Sequence, residues 1–197
     1  MMNVAELKKG YEAFQAREAR DSMYKTATFL VNTFWGQPKE MADGLGVLLL
    51  TWNNAFYRYG FFDFDVLEKC IGDNQQILEN YRHRNILDYT PADDESINDL
   101  YSKFLNALQI SDGKSAGRKS PVAVAKALHL LAPGFFALWD DKIARAYNCH
   151  YDYIPFMQEM KSLAQILAPE INTGSTGKTL LKLIDEYNYA KFTKQWV

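Results

Sequence analysis

The residues best suited to chemistry lie in the stretch 113–148, where a glycine-bearing basic turn precedes one helix and an aspartate opens the next. The turn carries Lys114, Arg118 and Lys119, and the aspartate is Asp140. Backbone N–H groups and cations at a helix N-terminus form a binding site for anions such as phosphate. An aspartate in that position is usually only an N-cap. The functional interpretation therefore depends on whether Lys119 and Asp140 share one cleft.

Positive charge is concentrated in this stretch, although the whole chain has a formal net charge of −2. Between positions 111 and 145 there are six basic and three acidic residues, whereas between 79 and 99 there are two basic and six acidic ones. The net charge argues against a protein that coats nucleic acid tightly. The local excess of cations favours contact with phosphate in the glycine-bearing stretch.

Other motifs do not have the spacing that their chemistry requires. The segment 174–179 (GSTGKT) is similar to a nucleotide-binding P-loop, but the first glycine of such a loop would stand at 172, which is Asn. We expect instead a loop whose Ser or Thr caps the last helix. The three histidines and two cysteines show no metal-ligand spacing and no nucleophile–base pattern, so we expect neither a metal nor another cofactor.

The elements that must position these residues are helices. Apolar residues recur at spacings of three and four along the chain, and no alternation of strands and helices interrupts them. Helix-start signals stand at 90–91 (TP) and 120–121 (SP), and 133–134 (PG) ends the second of these helices. The pattern predicts one all-α domain over residues 1–197, possessing roughly eight to ten helices with short connections.

Composition places the chain among globular proteins, because 48% of its residues are hydrophobic and 23% are charged. The N-terminus has no apolar signal-peptide core, and apolar runs such as 47–50 are far too short to span a bilayer. The two cysteines form no disulfide framework, which favours a reducing compartment. We therefore expect a cytoplasmic protein without a membrane partner.

Three short motifs carry a resemblance to a known family. Residues 117–120 (GRKS) match the end of a hairpin of the form L-P-G-[VI]-G-x-K-[TS], and residues 138–145 (LWDDKIAR) match V-D-x-x-[IV]-x-R. Upstream, residues 50–54 (LTWNN) match a helix that ends in an Asn-Asn pair and enters the DNA groove. In this pattern the segment 108–148 resembles the core of the helix-hairpin-helix DNA glycosylase superfamily. The hairpin here is longer and lacks L-P-G, Trp139 replaces the valine, and two cysteines are too few for the iron–sulfur cluster of some members.

The resemblance implies a helix-hairpin-helix fold and cleavage of the N-glycosidic bond of a damaged or modified base that is flipped out of duplex DNA. Asp140 would stabilise the positive charge on the sugar, orient water or deprotonate a nucleophile. Lys119 would be the nucleophile of an enzyme with lyase activity, or a phosphate contact if its side chain is solvated. Lys126, two turns further on, is a second candidate for either of these roles. The implied DNA contacts are Gly113, Lys114, Gly117, Arg118, Ser120, Lys126, Lys142 and Arg145. The implied base pocket or wedge comprises Trp52, Asn53, Asn54, Phe135, Phe136 and Trp139.

Two other functions fit the same residues. The first is a helical nucleic-acid-binding protein that keeps the hairpin but has no catalytic activity, and the second is a helical protein–protein interaction module without DNA contact. The substitution Asp140→Asn distinguishes the enzyme from the non-catalytic DNA-binding protein, because in the enzyme it should abolish excision and leave DNA affinity intact. Salt dependence distinguishes the protein–protein interaction module from both DNA-binding functions, because phosphate contacts weaken steeply as salt rises.

Overall fold

Helices form the scaffold that carries the candidate residues. The structure is a computed structural model that describes residues 2–18, 21–149 and 152–197, and within these ranges the chain is one all-helical domain without a β-strand. This confirms the predicted all-α class. The described α-helices are α1 (Val4–Arg17), α2 (Asp21–Thr33), α3 (Pro38–Trp52), α4 (Phe64–Asp73), α5 (Gln75–Arg82), α6 (Asp94–Ala107), α7 (Pro121–Leu131), α8 (Asp141–Ala146), α9 (Tyr153–Leu167) and α10 (Leu180–Asn188).

Helix starts follow the capping signals in the sequence. The Ser120 hydroxyl accepts a hydrogen bond from the backbone N–H of Ala123 at 3.2 Å, and α7 begins at the next residue, a proline. The hydroxyl of Thr179 accepts one from the N–H of Lys182, also at 3.2 Å, which confirms that the segment 174–179 caps the last helix.

The helix predicted from Pro91 begins later than its sequence signal. Pro91–Asp93 forms a tight 3-10 turn, and α6 proper begins at Asp94. The cause is the side chain of Asp93, which accepts a hydrogen bond from the backbone N–H of Thr90 at 2.8 Å. This reciprocal cap tightens the first turn before the α-helical hydrogen bonds begin.

The centre of the domain is α7, which packs against α2, α3 and α6. Every residue from Ala123 to Leu131 is buried, including Lys126 and His129. A helix that is buried on all sides has no solvent face to receive its polar side chains. The two basic residues of α7 must therefore find partners inside the protein.

The first and last helices close the domain by packing against each other. Gly10 of α1 makes this possible, because a Cβ atom there would lie 2.6 to 2.9 Å from Tyr187 of α10. After α10 the chain continues through a π-helical turn, Tyr189–Thr193, which contacts α1 and α8. Among the helices of the described ranges, none combines the length and the hydropathy that crossing a membrane requires.

The basic turn is a short hairpin in front of α7. The N–H of Ile110 donates to the carbonyl of Arg118 at 2.9 Å, and the N–H of Gly117 donates back to Ile110 at 2.8 Å. Gly113 and Gly117 reverse the chain with φ angles of 71° and 80°, a region that favours glycine. The hairpin is anchored to the preceding bend by the Ser111 N–H, which donates to the carbonyl of Phe61 at 2.9 Å.

Candidate active site

A cavity of about 430 Å³ opens beside the N-terminus of α8, between the ends of α1 and α3, the first turns of α7, and the C-terminal segment. Its volume is in the range of small-molecule sites, ~300–1,000 Å³. Trp52 and Trp139 contribute apolar walls. The charged side chains on its border are Glu18, Lys126, Asp140, Asp141, Lys142, Asp185 and Lys194.

Asp140 stands at the border of this cavity as the N-cap of α8. One carboxylate oxygen accepts a hydrogen bond from the backbone N–H of Ile143 at 2.8 Å. The other accepts one from the hydroxyl of Thr193 in the π-helical turn. Both contacts use Asp140 as an acceptor, and together they fix the direction of its side chain. The side chain is half-buried, which leaves it accessible from the cavity.

Lys126 reaches the same cavity from the buried helix α7. Its ammonium group donates to the carbonyl of Trp52 at 3.0 Å and to Oδ1 of Asn53 at 3.1 Å. The amide of Asn53 in turn donates to the hydroxyl of Ser120 at 3.1 Å, the group that caps α7. These bonds fix the end of α3 against the start of α7, and they hold the lysine and Asn53 on one wall.

Aromatic rings border the cavity on two sides. The indole of Trp52 stacks on Tyr24 with ring centroids 5.8 Å apart and an interplanar angle of 17°. Trp139 is fully buried, its indole N–H donates to the carbonyl of Pro121 at 3.4 Å, and its ring packs on Phe156. Trp52 is half-buried and thus offers a rigid surface against which a planar ligand could stack, whereas the ring of Trp139 is enclosed in the core and the stacking role implied for it has no support from the geometry.

Phe135 and Phe136 occupy a different place. Both are fully buried and pack around Tyr81, with ring centroids 4.6 and 4.9 Å from it. Neither borders the cavity. Their surroundings are those of core residues, and the base-pocket role implied for them has no support from the geometry.

Lys119 does not share the cleft with Asp140. Its side chain is exposed, donates from Nζ to Oδ1 of Asn106 at 2.6 Å, and does not border the cavity. The physical reason is its position one residue before the cap of α7, where the side chain turns towards α6. Three other lysines border the same cavity as Asp140, namely Lys126, Lys142 and Lys194, and of these Lys126, two turns along α7, is the buried one.

The hairpin residues with implied DNA contacts form an exposed surface. Gly113, Lys114, Gly117 and Arg118 are all exposed, and the guanidinium of Arg118 lies 5.6 Å from the ring centre of Phe56. The bend beneath the hairpin adds two exposed aromatic side chains that the sequence argument missed. Tyr59 is 73% exposed and Phe61 is 52% exposed. The only sequence signal for them was the Phe/Asp alternation of the segment 60–65.

The remaining candidates are dispersed. Lys142 borders the cavity and donates to the carbonyl of Thr193 at 3.1 Å, whereas Arg145 is paired with Asp141 at 3.0 Å on the surface. Ser120 is buried at the start of α7, and Asn54 is exposed outside the cavity border.

A cluster of buried charges behind the cavity was not predicted. Lys182 is fully buried, 3.2 Å from oxygens of both Asp185 and Glu186, and Lys178 binds Glu186 at 2.6 Å and Asp21 at 3.4 Å. The spacing of the apolar residues in α10 indicates that these charged residues lie on the opposite face of the helix, which is usually exposed to solvent. In the fold, α10 is buried on all sides.

Asp185 is the member of this cluster that borders the cavity. The pKa of Asp185 is raised to about 6. Burial is the main cause, the charges of Glu186 and Asp140 add to it, and Lys182 opposes it. Burial works to lower the pKa of Lys182, but Asp185 and Glu186 outweigh it and hold it above its ordinary value. Lys25 also pairs with Asp21 at 3.3 Å, so the three carboxyl groups of the cluster face three ammonium groups, of which only that of Lys25 is exposed.

No group of three or more potential metal ligands occurs in the part of the chain that the structure describes. Comparison of the chain with protein-family models, with curated proteins and with solved structures gives no match in any of the three. The functional argument is therefore built on the residues of the cavity and of the hairpin.

Proposed function

We propose that the protein is a DNA glycosylase-like enzyme that cleaves the N-glycosidic bond of a damaged or modified base flipped out of duplex DNA. The observation that carries the proposal is the cavity of about 430 Å³, which is bordered by the carboxylate of Asp140. Lys126, Trp52 and Asn53 stand on its other walls. These residues come from the segments that resemble the glycosylase motifs, and a base inside a duplex must leave the stack to reach any such cavity.

Asp140 acts on the sugar. Breaking an N-glycosidic bond builds positive charge on the sugar ring, and a carboxylate held beside that ring stabilises it. The hydrogen bonds from Ile143 and Thr193 fix the direction of the carboxylate before substrate arrives. The face of Trp52 stacks on the extruded base, and the exposed hairpin with Lys114, Arg118 and Lys119 binds the phosphate backbone.

The test of this function is base release from duplex oligonucleotides that carry single damaged or modified bases, read as strand breaks after alkali. Asp140→Asn keeps the N-cap, because asparagine caps a helix about as well as aspartate. We expect this variant to lose ~10²–10³-fold in excision rate while DNA affinity stays unchanged. Asp63→Asn is the matched control, since Asp63 is also an N-cap aspartate, that of α4, and does not border the cavity. Excision that survives Asp140→Asn contradicts the proposal.

Lyase activity, if the enzyme has it, depends on a lysine in the cavity. Of the three lysines that border the cavity, Lys126 is the buried one and takes this role, and Lys119 is a phosphate contact outside the cavity. Borohydride reduces the Schiff base formed between a lysine and the sugar and so traps a covalent protein–DNA adduct. We expect the adduct to form with Lys119→Gln and to be absent with Lys126→Gln. The opposite pattern returns the nucleophile role to Lys119.

One observation favours a second candidate, a nucleic-acid-binding protein without catalysis. Both oxygens of Asp140 already accept hydrogen bonds, from Ile143 and from Thr193, as they would in a purely structural cap. This candidate predicts DNA binding that weakens steeply with salt, without release of any base. Binding that is insensitive to salt contradicts both candidates.

A further inference from the structure

The cavity is bordered by two carboxyl groups that differ in their surroundings. Asp140 belongs to the N-terminus of α8 and is half-buried, whereas Asp185 belongs to the buried helix α10 and is 5% exposed. Both border the cavity, and the charge of Asp140 contributes to raising the pKa of Asp185. Two carboxyl groups held in one cavity by different environments are the arrangement with which enzymes divide acid and base roles in glycoside cleavage.

We propose that Asp185 is a second catalytic residue of the cavity, the general acid that protonates the departing base. This inference rests on the proposed function and adds a residue to the same site. Asp140 remains the group that stabilises the sugar.

The reaction balances as a hydrolysis. The bond between the sugar C1′ and the base nitrogen breaks, and its electron pair goes to the base. The carboxylic acid of Asp185 gives its proton to the base, which leaves as the neutral molecule. A water oxygen forms the new bond to C1′, and the proton that this water loses goes to Asp140. Exchange with solvent returns the proton from Asp140 to Asp185, and no oxidant, reductant or cofactor is consumed.

The surroundings of Asp185 suit it to this role. Lys182, which does not border the cavity, donates to one of its oxygens at 3.2 Å. Lys182 is shared with Glu186 at the same distance, so it does not fully compensate the charge of Asp185. Burial therefore keeps the Asp185 carboxyl group protonated at a pH where an exposed aspartate has lost its proton. An acid in this state can donate a proton near neutral pH.

The experiment compares two kinds of leaving group in duplex oligonucleotides under single-turnover conditions. Hypoxanthine, uracil and 8-oxoguanine leave more easily when protonated, whereas 7-methylguanine already carries a positive charge and leaves as a neutral base without a proton. We expect Asp185→Asn to slow release of the uncharged bases by ~10²-fold or more. Release of 7-methylguanine should change by less than about fivefold, because no proton is needed.

Asp21→Asn is the control for loss of stability. It removes a carboxylate of the same buried cluster, which pairs with Lys178 at 3.4 Å, does not border the cavity and is not one of the charges that raise the pKa of Asp185. The rate per folded molecule should therefore stay close to the wild-type rate for both kinds of base. If Asp185→Asn slows release of both kinds of base equally, or slows neither, the role of Asp185 as general acid is overturned and the proposed function is not affected. A wild-type protein that releases none of these bases overturns the proposed function and this role with it.

Discussion

His129 shows how a single residue is fixed by the interior of α7. Its Nδ1 lies 2.8 Å from the carbonyl oxygen of Phe136, which only accepts, so Nδ1 carries the proton. Its Nε2 then accepts from the hydroxyl of Tyr24 at 2.9 Å. This geometry has no place for a second ring proton, and burial lowers the pKa of His129 to about 4.

The linkage of His129 to folding predicts loss of stability in acid. In the unfolded chain a histidine titrates near ~6.5, so between that pH and about 4 the unfolded state binds the extra proton and the folded state does not. The contribution of His129 is complete above pH ~6.5 and falls by up to ~3 kcal/mol as the pH drops towards 4. In urea unfolding, His129→Gln should not show this loss of unfolding free energy in acid. His83 is exposed, so His83→Gln should show the same loss as the wild type. An unchanged pH slope in His129→Gln contradicts the assignment.

Asp185 produces the opposite slope. Its folded pKa of about 6 lies above the ordinary aspartate value of 3.8, so its contribution to stability is complete below the lower value and is lost as the pH rises to about 6. The two residues therefore offset each other in the same pH window. We expect Asp185→Asn to steepen the acid loss that His129 causes, measured as the urea midpoint at pH 4.5, 5.5 and 6.5 relative to wild type. A shallower slope in this variant would contradict the raised pKa of Asp185.

At the level of elements, the contact between α1 and α10 depends on one glycine. A methyl group on Gly10 would meet the backbone and side chain of Tyr187 at 2.6 to 2.9 Å, which forces the two helices apart. Gly10→Ala should destabilise the protein by ~1–3 kcal/mol despite the better helix propensity of alanine. Gly72→Ala in α4 is the control, because its Cβ would meet Pro38 only at 3.5 Å. That substitution should be neutral or stabilising in a thermal melt by up to ~1 kcal/mol, and equal effects of the two would contradict the steric argument.

The helices themselves are predictable from the sequence because their caps and apolar spacings are local signals. Ser120 and Thr179 illustrate this, since each begins a helix where its type indicates. The direction in which an individual charged side chain points cannot be predicted from such local signals. Lys126 and Lys182 lie on helices that are buried on all sides, so the neighbours around the helix decide where they point. The sequence placed Asp140 at a helix start for the same local reason, but it did not indicate that Lys126, rather than Lys119, would reach the cavity.

The whole molecule is held closed by contacts between residues far apart in the chain. The ammonium group of Lys182 in α10 lies 4.7 Å from the ring centre of Phe14 in α1 and 4.8 Å from the ring centre of Tyr24 in α2. Lys178 extends the same cluster to Asp21 at the start of α2. The buried charges thus join both ends of the chain behind the cavity.

Removing Lys182 should therefore weaken the whole fold. Lys182→Met leaves Asp185 buried without its cation, and breaking a buried pair in this way costs ~3–5 kcal/mol. The double variant Lys182→Met/Asp185→Asn should recover part of this loss, because the uncompensated carboxylate is gone while Glu186 keeps Lys178 at 2.6 Å. Lys69→Met is the matched control, since its pair with Asp73 is exposed and worth ~0–1 kcal/mol. Urea unfolding followed by tryptophan fluorescence and by circular dichroism measures all four proteins, and both signals should move together because the cluster spans the domain. A double variant no more stable than Lys182→Met would show that the lysine acts through its packing on the aromatic rings, and that charge compensation of Asp185 contributes little.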